Sequence, residues 1–388
     1  MRKLLLRLVD AFKKGDLTLL LLCTVATAFG CIMIYSTTNA TSTGPLRYLL
    51  VQIGASGAGI LAYLFISSFD TETLAENRIG LMLFNVFLLL LLIPFGINVA
   101  GNRSWLRFPF LPFNIQPAEI CKITYVLIMA SVMVRRQNNL SSFSSIMHMV
   151  MHLGIVAGIN WVISGDAGVS LIFVAIFVGM AFGGGVNMIW FIGAIVGGAA
   201  FLPILWPFLG EYQQERIAVL FDPTLDPNGT GVRYQTVRGL RSLTGGGMTG
   251  QGLFQGHRTQ TDGALFAQHT DFIFCAIGEE LGFIGCAVVL ILLFLIVARC
   301  IWVGTRSQDF LRRLVCFGVA ASLSFQIIVN VGMCLGVTPV IGLTLPFISY
   351  GGSSIITLYT MLGLVSGVYA RPNAASHERY IRPPLQHF

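Results

Sequence analysis

The residues best suited to chemistry lie where a long polar segment returns to an apolar run, at His269-Thr270-Asp271 before Phe272-Ile273-Phe274. An acid at a lipid boundary is costly to keep, so Asp271 is a functional candidate. A carboxylate of this kind can take the proton of a bound hydroxyl. Thr270 and Asp271 can also cap the following helix, since both types accept hydrogen bonds from first-turn N–H groups. On local grounds alone, capping is favoured.

A second cluster precedes another apolar run. Gly101-Asn102-Arg103-Ser104-Trp105 leads to Gln116-Pro117-Ala118-Glu119, with Lys122 three residues further on. Pro117 suits the first position of a helix, and a carboxylate at Glu119 then favours the helix dipole. Lys122 lies one turn below Glu119 on the same face, so the two can neutralise each other inside a membrane. The pair could also hold a phosphate at a cavity.

The polar segment at about 209–271 is rich in arginine and glycine. Between Asp226 and Asp262 it carries Arg233, Arg238, Arg241 and Arg258, and no acid. Guanidinium groups and backbone N–H groups bind pyrophosphate well, but a flexible surface loop with ordinary exposed arginines is an equally good reading. Asp166, in Ser164-Gly165-Asp166-Ala167-Gly168, opens an apolar run in the same way as Asp271, and its plain role is again an N-cap.

The elements that must position these residues are membrane helices. Of the 388 residues, 55% are hydrophobic and only 11% are charged, whereas soluble domains carry about 25% charged residues. Since a span takes about 20 apolar residues, we predict an all-α polytopic membrane protein with about ten transmembrane helices. The predicted spans are 17–37, 46–66, 79–98, 117–134, 145–163, 167–182, 186–208, 272–302, 314–336 and 345–369.

The positive charges orient these spans. Most of the 24 Lys and Arg lie in segments on one side, while the short segments of the other side hold only Arg47, Arg103 and Arg107. By the positive-inside rule both termini are cytoplasmic and 209–271 is a large extracytoplasmic loop. The same distribution explains the net charge of +7 and excludes a nucleic-acid-binding stripe.

Three regions follow from this pattern. Residues 1–16 form a cytoplasmic basic amphipathic segment that lies on the membrane surface. Residues 17–370 form the ten-helix transmembrane domain, and 371–388 form a cytoplasmic tail.

Several runs together resemble a known family. Leu345-Pro346-Phe347-Ile348-Ser349-Tyr350-Gly351-Gly352-Ser353-Ser354, the run from His269 to Phe274, and Gly278-Glu279-Glu280-Leu281-Gly282 are similar to the SEDS family of RodA, FtsW and SpoVE. The resemblance covers nearly the whole chain, including Gln-Pro-x-Glu-x-x-Lys and the glycine-rich loop.

The resemblance implies a peptidoglycan glycosyltransferase in the bacterial plasma (inner) membrane, with its active site on the extracytoplasmic side. The implied partners are lipid II, the nascent glycan strand and a class B penicillin-binding transpeptidase, and a divalent cation, Mg²⁺ or Mn²⁺, is left open. The family's essential acid matches Asp271. The other residues that we expect to bind substrate or pyrophosphate are Arg103, Trp105, Glu119, Lys122, Asp166, Arg233, Arg238, Arg241, Ser349 and Ser353.

The chain departs from the family pattern near Asp271. Phe266-Ala267 stands where the family usually has Pro-Glu, Ser164-Gly165-Asp166-Ala167-Gly168-Val169 keeps only the Asp and Gly of Gln-Pro-Asp-Leu-Gly-Thr, and Gly245 replaces a usual serine. Two other functions remain open. A lipid II flippase would use ten spans and intramembrane charges equally well, and a non-catalytic scaffold for cell-wall synthases would need Asp271 only as a cap.

Overall fold

The computed structural model describes residues 12–39, 44–99, 101–109, 111–208, 210–227, 229–261 and 263–371. Most of the predicted basic segment at 1–16, and of the predicted tail at 371–388, lies outside the described residues. Within them the protein is almost entirely helical.

Eight helices of the described chain are long and apolar enough to cross a membrane, and two apolar helices are shorter, at Ala167–Gly183 and Met188–Ala200. The polytopic all-α class is therefore confirmed. Each of the ten predicted spans overlaps an apolar helix, but the number of membrane crossings stays a prediction. The helices are α1 Leu17–Thr38, α2 Pro45–Ser67, α3 Thr71–Glu76, α4 Arg78–Leu90, α5 Leu92–Phe95, α6 Pro117–Val134, α7 Phe143–Ser164, α8 Ala167–Gly183, α9 Met188–Leu205, α10 Glu211–Phe221, α11 Tyr234–Gly245, α12 Ile273–Arg306, α13 Phe310–Leu335 and α14 Gly352–Ala370. Short 3₁₀ turns occupy Gln137–Asn139, Trp206–Phe208 and Pro223–Leu225.

The third predicted span, 79–98, is too long. Its last residues leave the helix and form β1 (Gly96–Val99), which pairs antiparallel with β2 (Asn102–Leu106). Gly101 turns the chain between the strands with a φ of 90°, a backbone conformation that favours glycine. The hairpin carries the Arg103-Ser104-Trp105 element to the start of α6.

The last predicted span, 345–369, begins too early. Residues 336–351 are irregular, and α14 starts only at Gly352. Pro346 has no N–H to continue a helix, and the N–H of Leu345 donates to Oγ of Ser349 over 2.8 Å instead. This irregular segment forms one wall of the candidate site.

The glycine-rich loop packs directly on a break in α12. Gly282 lies inside that helix with φ 66° and ψ −164°. A Cβ on Gly246 would lie 1.9 Å from the carbonyl oxygen of Gly278, so this glycine is needed for close approach. The N–H groups of Phe254 and Arg258 donate to the side chains of Glu280 and Glu279, over 3.2 and 2.8 Å. The predicted anion-binding backbone thus binds carboxylates of the protein itself.

Small residues bring the central helices together. Gly59 of α2 lies against the ring of Tyr359 in α14, and Gly363 of α14 lies against the backbone of Tyr63 in α2. Such close contacts stabilise helix pairs in membranes. The helix α6 is buried along most of its length, and Glu119 and Lys122 are buried in its first two turns.

Candidate active site

Asp271 lies in a tight turn in front of α12, and it does not cap that helix. The N-cap residue is Phe272, which makes no side-chain capping bond, and the hydroxyl of Thr270 donates to the carbonyl of Ala267 over 3.2 Å. The expectation that Thr270 or Asp271 is the cap is therefore wrong. The turn already begins at Ala267, whose φ of 50° is in the left-handed region.

The side chain of Asp271 faces a cavity of about 740 Å³. Its carboxylate has no hydrogen-bonding partner among the described residues. Desolvation by the surrounding protein, followed by the nearby carboxylate of Asp166, raises the pKa of Asp271 to about 6. A carboxyl group with a pKa in this range can accept a proton near neutral pH.

Asp166 both caps the N-terminus of α8 and lines the cavity. Its Oδ1 accepts from the N–H of Val169 over 3.0 Å, which confirms the predicted N-cap of α8. Its Oδ2 accepts from Nε2 of Gln116 over 3.0 Å and from Oγ of Ser104 over 3.4 Å, and the side chain also lines the cavity. Burial is the main cause that raises the pKa of Asp166.

Glu119 and Lys122 form the predicted ion pair. Nζ of Lys122 lies 2.8 Å from Oε1 of Glu119, and the lysine side chain is fully buried. Oε2 of Glu119 has no hydrogen-bonding partner among the described residues, and Glu119 lines the cavity. Lys122 is not part of the cavity wall, so its charge reaches the cavity only through Glu119.

The basic residues of the cavity are not the ones expected. Nε of Arg103 donates to the carbonyl of Gly96 over 3.1 Å, and Arg103 lies outside the wall, although Trp105 lines it as expected. The arginines that do line the cavity are Arg47 and Arg107, and neither is paired with an acid within the described residues. The one signal for Arg47 in the sequence was its place in the first turn of α2, shortly after Gly44-Pro45.

Two of the loop arginines bind groups of the loop itself. Nη1 of Arg233 donates to the carbonyl of Asp226 over 3.3 Å, and Nη1 of Arg238 donates to the carbonyl of Gly263 over 2.9 Å. Arg238 also lies 4.2 Å from the ring centre of Tyr234, and Arg241 is exposed. In the part of the chain that the structure describes, Arg233, Arg238 and Arg241 stand outside the cavity wall.

Three serines at the junction between the irregular segment and α14 have different roles. Ser349 is buried, and its Oγ donates to the carbonyl of Thr270 over 2.6 Å, so it supports the turn before Asp271. Ser353 is buried in the first turn of α14 and is not part of the wall. Ser354, which the sequence did not single out, lines the cavity, and its Oγ has no partner among the described residues.

Within the described ranges, no three His, Cys, Asp or Glu side chains are grouped closely enough to hold a metal ion. The expectation of Mg²⁺ or Mn²⁺ therefore stays a matter of resemblance, and no chemical step is assigned to a cation.

Comparison with known proteins shows which family the chain matches. Residues 16–373 match the model of the FtsW, RodA and SpoVE family, described as cell cycle proteins. The probable peptidoglycan glycosyltransferase FtsW of Geobacter metallireducens is 32% identical over 365 residues, which cover 92% of this chain and 96% of that protein. The corresponding protein of Tolumonas auensis is 38% identical over 280 residues, covering 70% of each chain.

Two solved structures share the fold. A chain from a peptidoglycan synthase complex that coordinates polymerization and crosslinking superimposes with a TM-score of 0.76 at 27% identity, covering 93% of this chain and 99% of that one. A variant of the rod shape determining protein RodA of Thermus thermophilus gives a TM-score of 0.68 at 26% identity, covering 92% and 98%.

Proposed function

The chain belongs to the FtsW, RodA and SpoVE family, and from that premise we propose that it is a peptidoglycan glycosyltransferase that polymerises lipid II in the cavity beside Asp271. One observation carries the proposal: an acid with a pKa of about 6 and no hydrogen-bonding partner in the described chain faces a cavity that also holds two arginines. A proton acceptor and an anion site are the two groups that glycosyl transfer from a pyrophosphate needs.

In the proposed reaction, Asp271 takes the proton of the acceptor sugar hydroxyl. The freed oxygen forms a bond to the anomeric carbon of the donor sugar, and the bond from that carbon to the lipid pyrophosphate breaks. The electron pair of that bond leaves on the pyrophosphate. Arg47 and Arg107 stabilise the developing negative charge, and charge-assisted hydrogen bonds from guanidinium groups suit phosphate oxygens well.

Glu119, Lys122 and Asp166 support the site in this proposal. The buried Glu119–Lys122 pair presents one carboxylate oxygen to the cavity, where it can accept a hydrogen bond from a sugar hydroxyl. Asp166 keeps Gln116 in place and raises the proton affinity of Asp271. The loop arginines and Arg103 take no direct part in the chemistry.

The protein spans the membrane many times, and we place it in the bacterial inner membrane with the cavity on the extracytoplasmic side. The distribution of Lys and Arg supports this orientation. A class B penicillin-binding transpeptidase is the proposed partner, which agrees with the likeness to a chain of a peptidoglycan synthase complex.

A flippase and a scaffold are the alternatives, and measuring glycan synthesis together with lipid translocation separates the three functions. Purified protein with its transpeptidase partner is given labelled lipid II, and glycan length is measured for the unmodified chain and for Asp271→Asn. The amide keeps the shape but cannot take a proton, so we expect a loss of about 10²- to 10⁴-fold in rate. Lipid translocation without glycan would favour the flippase, and neither translocation nor glycan would favour the scaffold. Equal polymerisation by both chains would remove Asp271 from the chemistry.

A further inference from the structure

The turn that carries Asp271 is held by its carbonyl groups. The carbonyl of His269 accepts from the N–H of Tyr350 over 2.9 Å, and the carbonyl of Thr270 accepts from Oγ of Ser349 over 2.6 Å. The carbonyl of Asp271 itself accepts from Nδ2 of Asn330 over 2.8 Å. Three successive carbonyls are thus each bound by a different group, and only the third bond comes from the long helix α13.

Asn330 uses its amide as a double donor. Its Nδ2 also donates to the carbonyl of Leu343 over 2.6 Å. The side chain is fully buried, and its Oδ1 has no partner among the described residues. Since both neighbouring groups are acceptors, the nitrogen must face them, and the amide contributes here only as a donor.

One acceptor of Asn330 belongs to the candidate base itself, and the other belongs to a backbone segment close to its carboxylate. Leu343 lines the cavity, and so does Gln326, one turn before Asn330 on α13. A Cβ placed on Gly342 would be 3.6 Å from Oδ2 of Asp271, so the backbone beside Leu343 runs next to the carboxylate. Asn330 therefore joins the backbone that carries the carboxylate to the backbone that the carboxylate faces.

The neighbouring donors with recorded bonds are used elsewhere or are weak. The N–H groups of Cys275 and Ala276, the third and fourth residues of α12, bind the carbonyl of Phe272. Sγ of Cys334 lies 3.9 Å from the carbonyl of Asp271, and a thiol is a weak donor. Without Asn330 a buried carbonyl next to the base loses its strong partner, which favours a shift of the turn.

We propose that Asn330 is a positioning residue, whose amide holds the carbonyls of Asp271 and Leu343 together and so directs the Asp271 carboxylate into the cavity. The inference rests on the proposed function, because it needs Asp271 to act as the base. A displacement of about 1 Å in a catalytic group can cost about 10²-fold in rate, so a single hydrogen bond to the backbone is enough to matter.

The test compares two substitutions of buried asparagines. Asn330→Leu keeps a similar volume and removes both donors. Asn85→Leu is the matched control: Asn85 is also fully buried, in α4, and its Oδ1 accepts from Oγ1 of Thr124 over 2.5 Å. For each purified variant in complex with its partner, kcat and KM on labelled lipid II are measured between pH 5 and 8, together with the melting temperature and the folded fraction.

Per folded molecule, we expect Asn330→Leu to lower kcat by about 10- to 100-fold and to leave KM within about 2-fold, while Asn85→Leu keeps the kcat of the unmodified chain. The acidic limb of the kcat profile should also move to lower pH, because a carboxylate that turns out of its place is better solvated. A structural role alone would not move that limb.

The proposal is overturned if kcat of Asn330→Leu matches that of Asn85→Leu, if KM alone changes, or if kcat falls with the acidic limb in place. Asp271→Asn, run beside them, tells the two failures apart. If Asp271→Asn is inactive and Asn330→Leu is normal, only the positioning role fails, whereas an active Asp271→Asn overturns the proposed function and this inference with it.

Discussion

Nζ of Lys122 lies 2.8 Å from Oε1 of Glu119, and only the glutamate of this buried pair reaches the cavity. The lysine therefore pairs with a buried carboxylate inside the bundle and is not itself part of the cavity wall. Removing one partner of a buried pair leaves an uncompensated charge, which is worse than removing both.

We expect Lys122→Met to lower the free energy of unfolding by about 3–5 kcal/mol. The yield and the melting temperature should fall with it. The double substitution Glu119→Gln with Lys122→Met should recover most of that loss, since both charges are then gone. Melting temperature in detergent measures this, and a double variant no more stable than Lys122→Met would contradict the pairing argument.

Lys122→Ala should impair glycan synthesis, folding or both.

The rate of polymerisation should depend on pH through Asp271. Because its pKa lies at about 6, the base is protonated and inactive in more acid solution, and kcat/KM should rise with pH through that range. Asp166→Asn removes the negative neighbour but can still cap α8, so the rising limb should move to lower pH. An unchanged limb, or a shift to higher pH, would show that Asp166 does not act on Asp271.

The free energy of unfolding should also depend on pH through Asp271, but it should fall with rising pH where the rate rises. The pKa of Asp271 is higher in the folded chain, at about 6, than the ordinary value of 3.8. The folded state therefore binds more protons between these values, and stability falls as pH rises through them. Asp271→Asn should raise the melting temperature at pH 8 and change it little at pH 4, where the acid is already protonated. A gain that is equal at both pH values would exclude desolvation of the charge as its cause.

The cavity arginines can be tested against a matched arginine outside the wall. Arg47→Gln and Arg107→Gln should each lower kcat/KM by about 10- to 100-fold, because a hydrogen bond to a charged group contributes about 1.5–3 kcal/mol. Arg103→Gln, on the adjacent hairpin, should stay within about 2-fold of the unmodified chain. Equal losses at all three positions would indicate a general charge effect on lipid binding.

Orientation is tested with reporters. A periplasm-active reporter fused near Gly250 should be active, and one fused near Gln308 should be inactive, because the positive charges flank the inner ends of the spans. The reverse pattern would place the Asp271 cavity on the cytoplasmic side and end the proposed function as well as the topology.

The sequence determined what depends on composition and on neighbours within about one helical turn. The apolar runs predicted the membrane helices, the spacing of Glu119 and Lys122 predicted their pairing, and the residues around Asp166 predicted its N-cap. These features need only the period of the α-helix and the length of a bilayer crossing. The family resemblance pointed to Asp271, although local chemistry alone favoured a cap.

Only the tertiary structure decided which residues meet. The bond from Ser349 to the carbonyl of Thr270 joins positions 79 residues apart, and the bond from Asn330 to that of Asp271 joins positions 59 apart. The sequence pattern favoured Arg103, which lies outside the wall, over Arg47, which lines it. Packing of distant helices selects the side chains that face a common cavity, and that selection also desolvates Asp271 and raises its pKa.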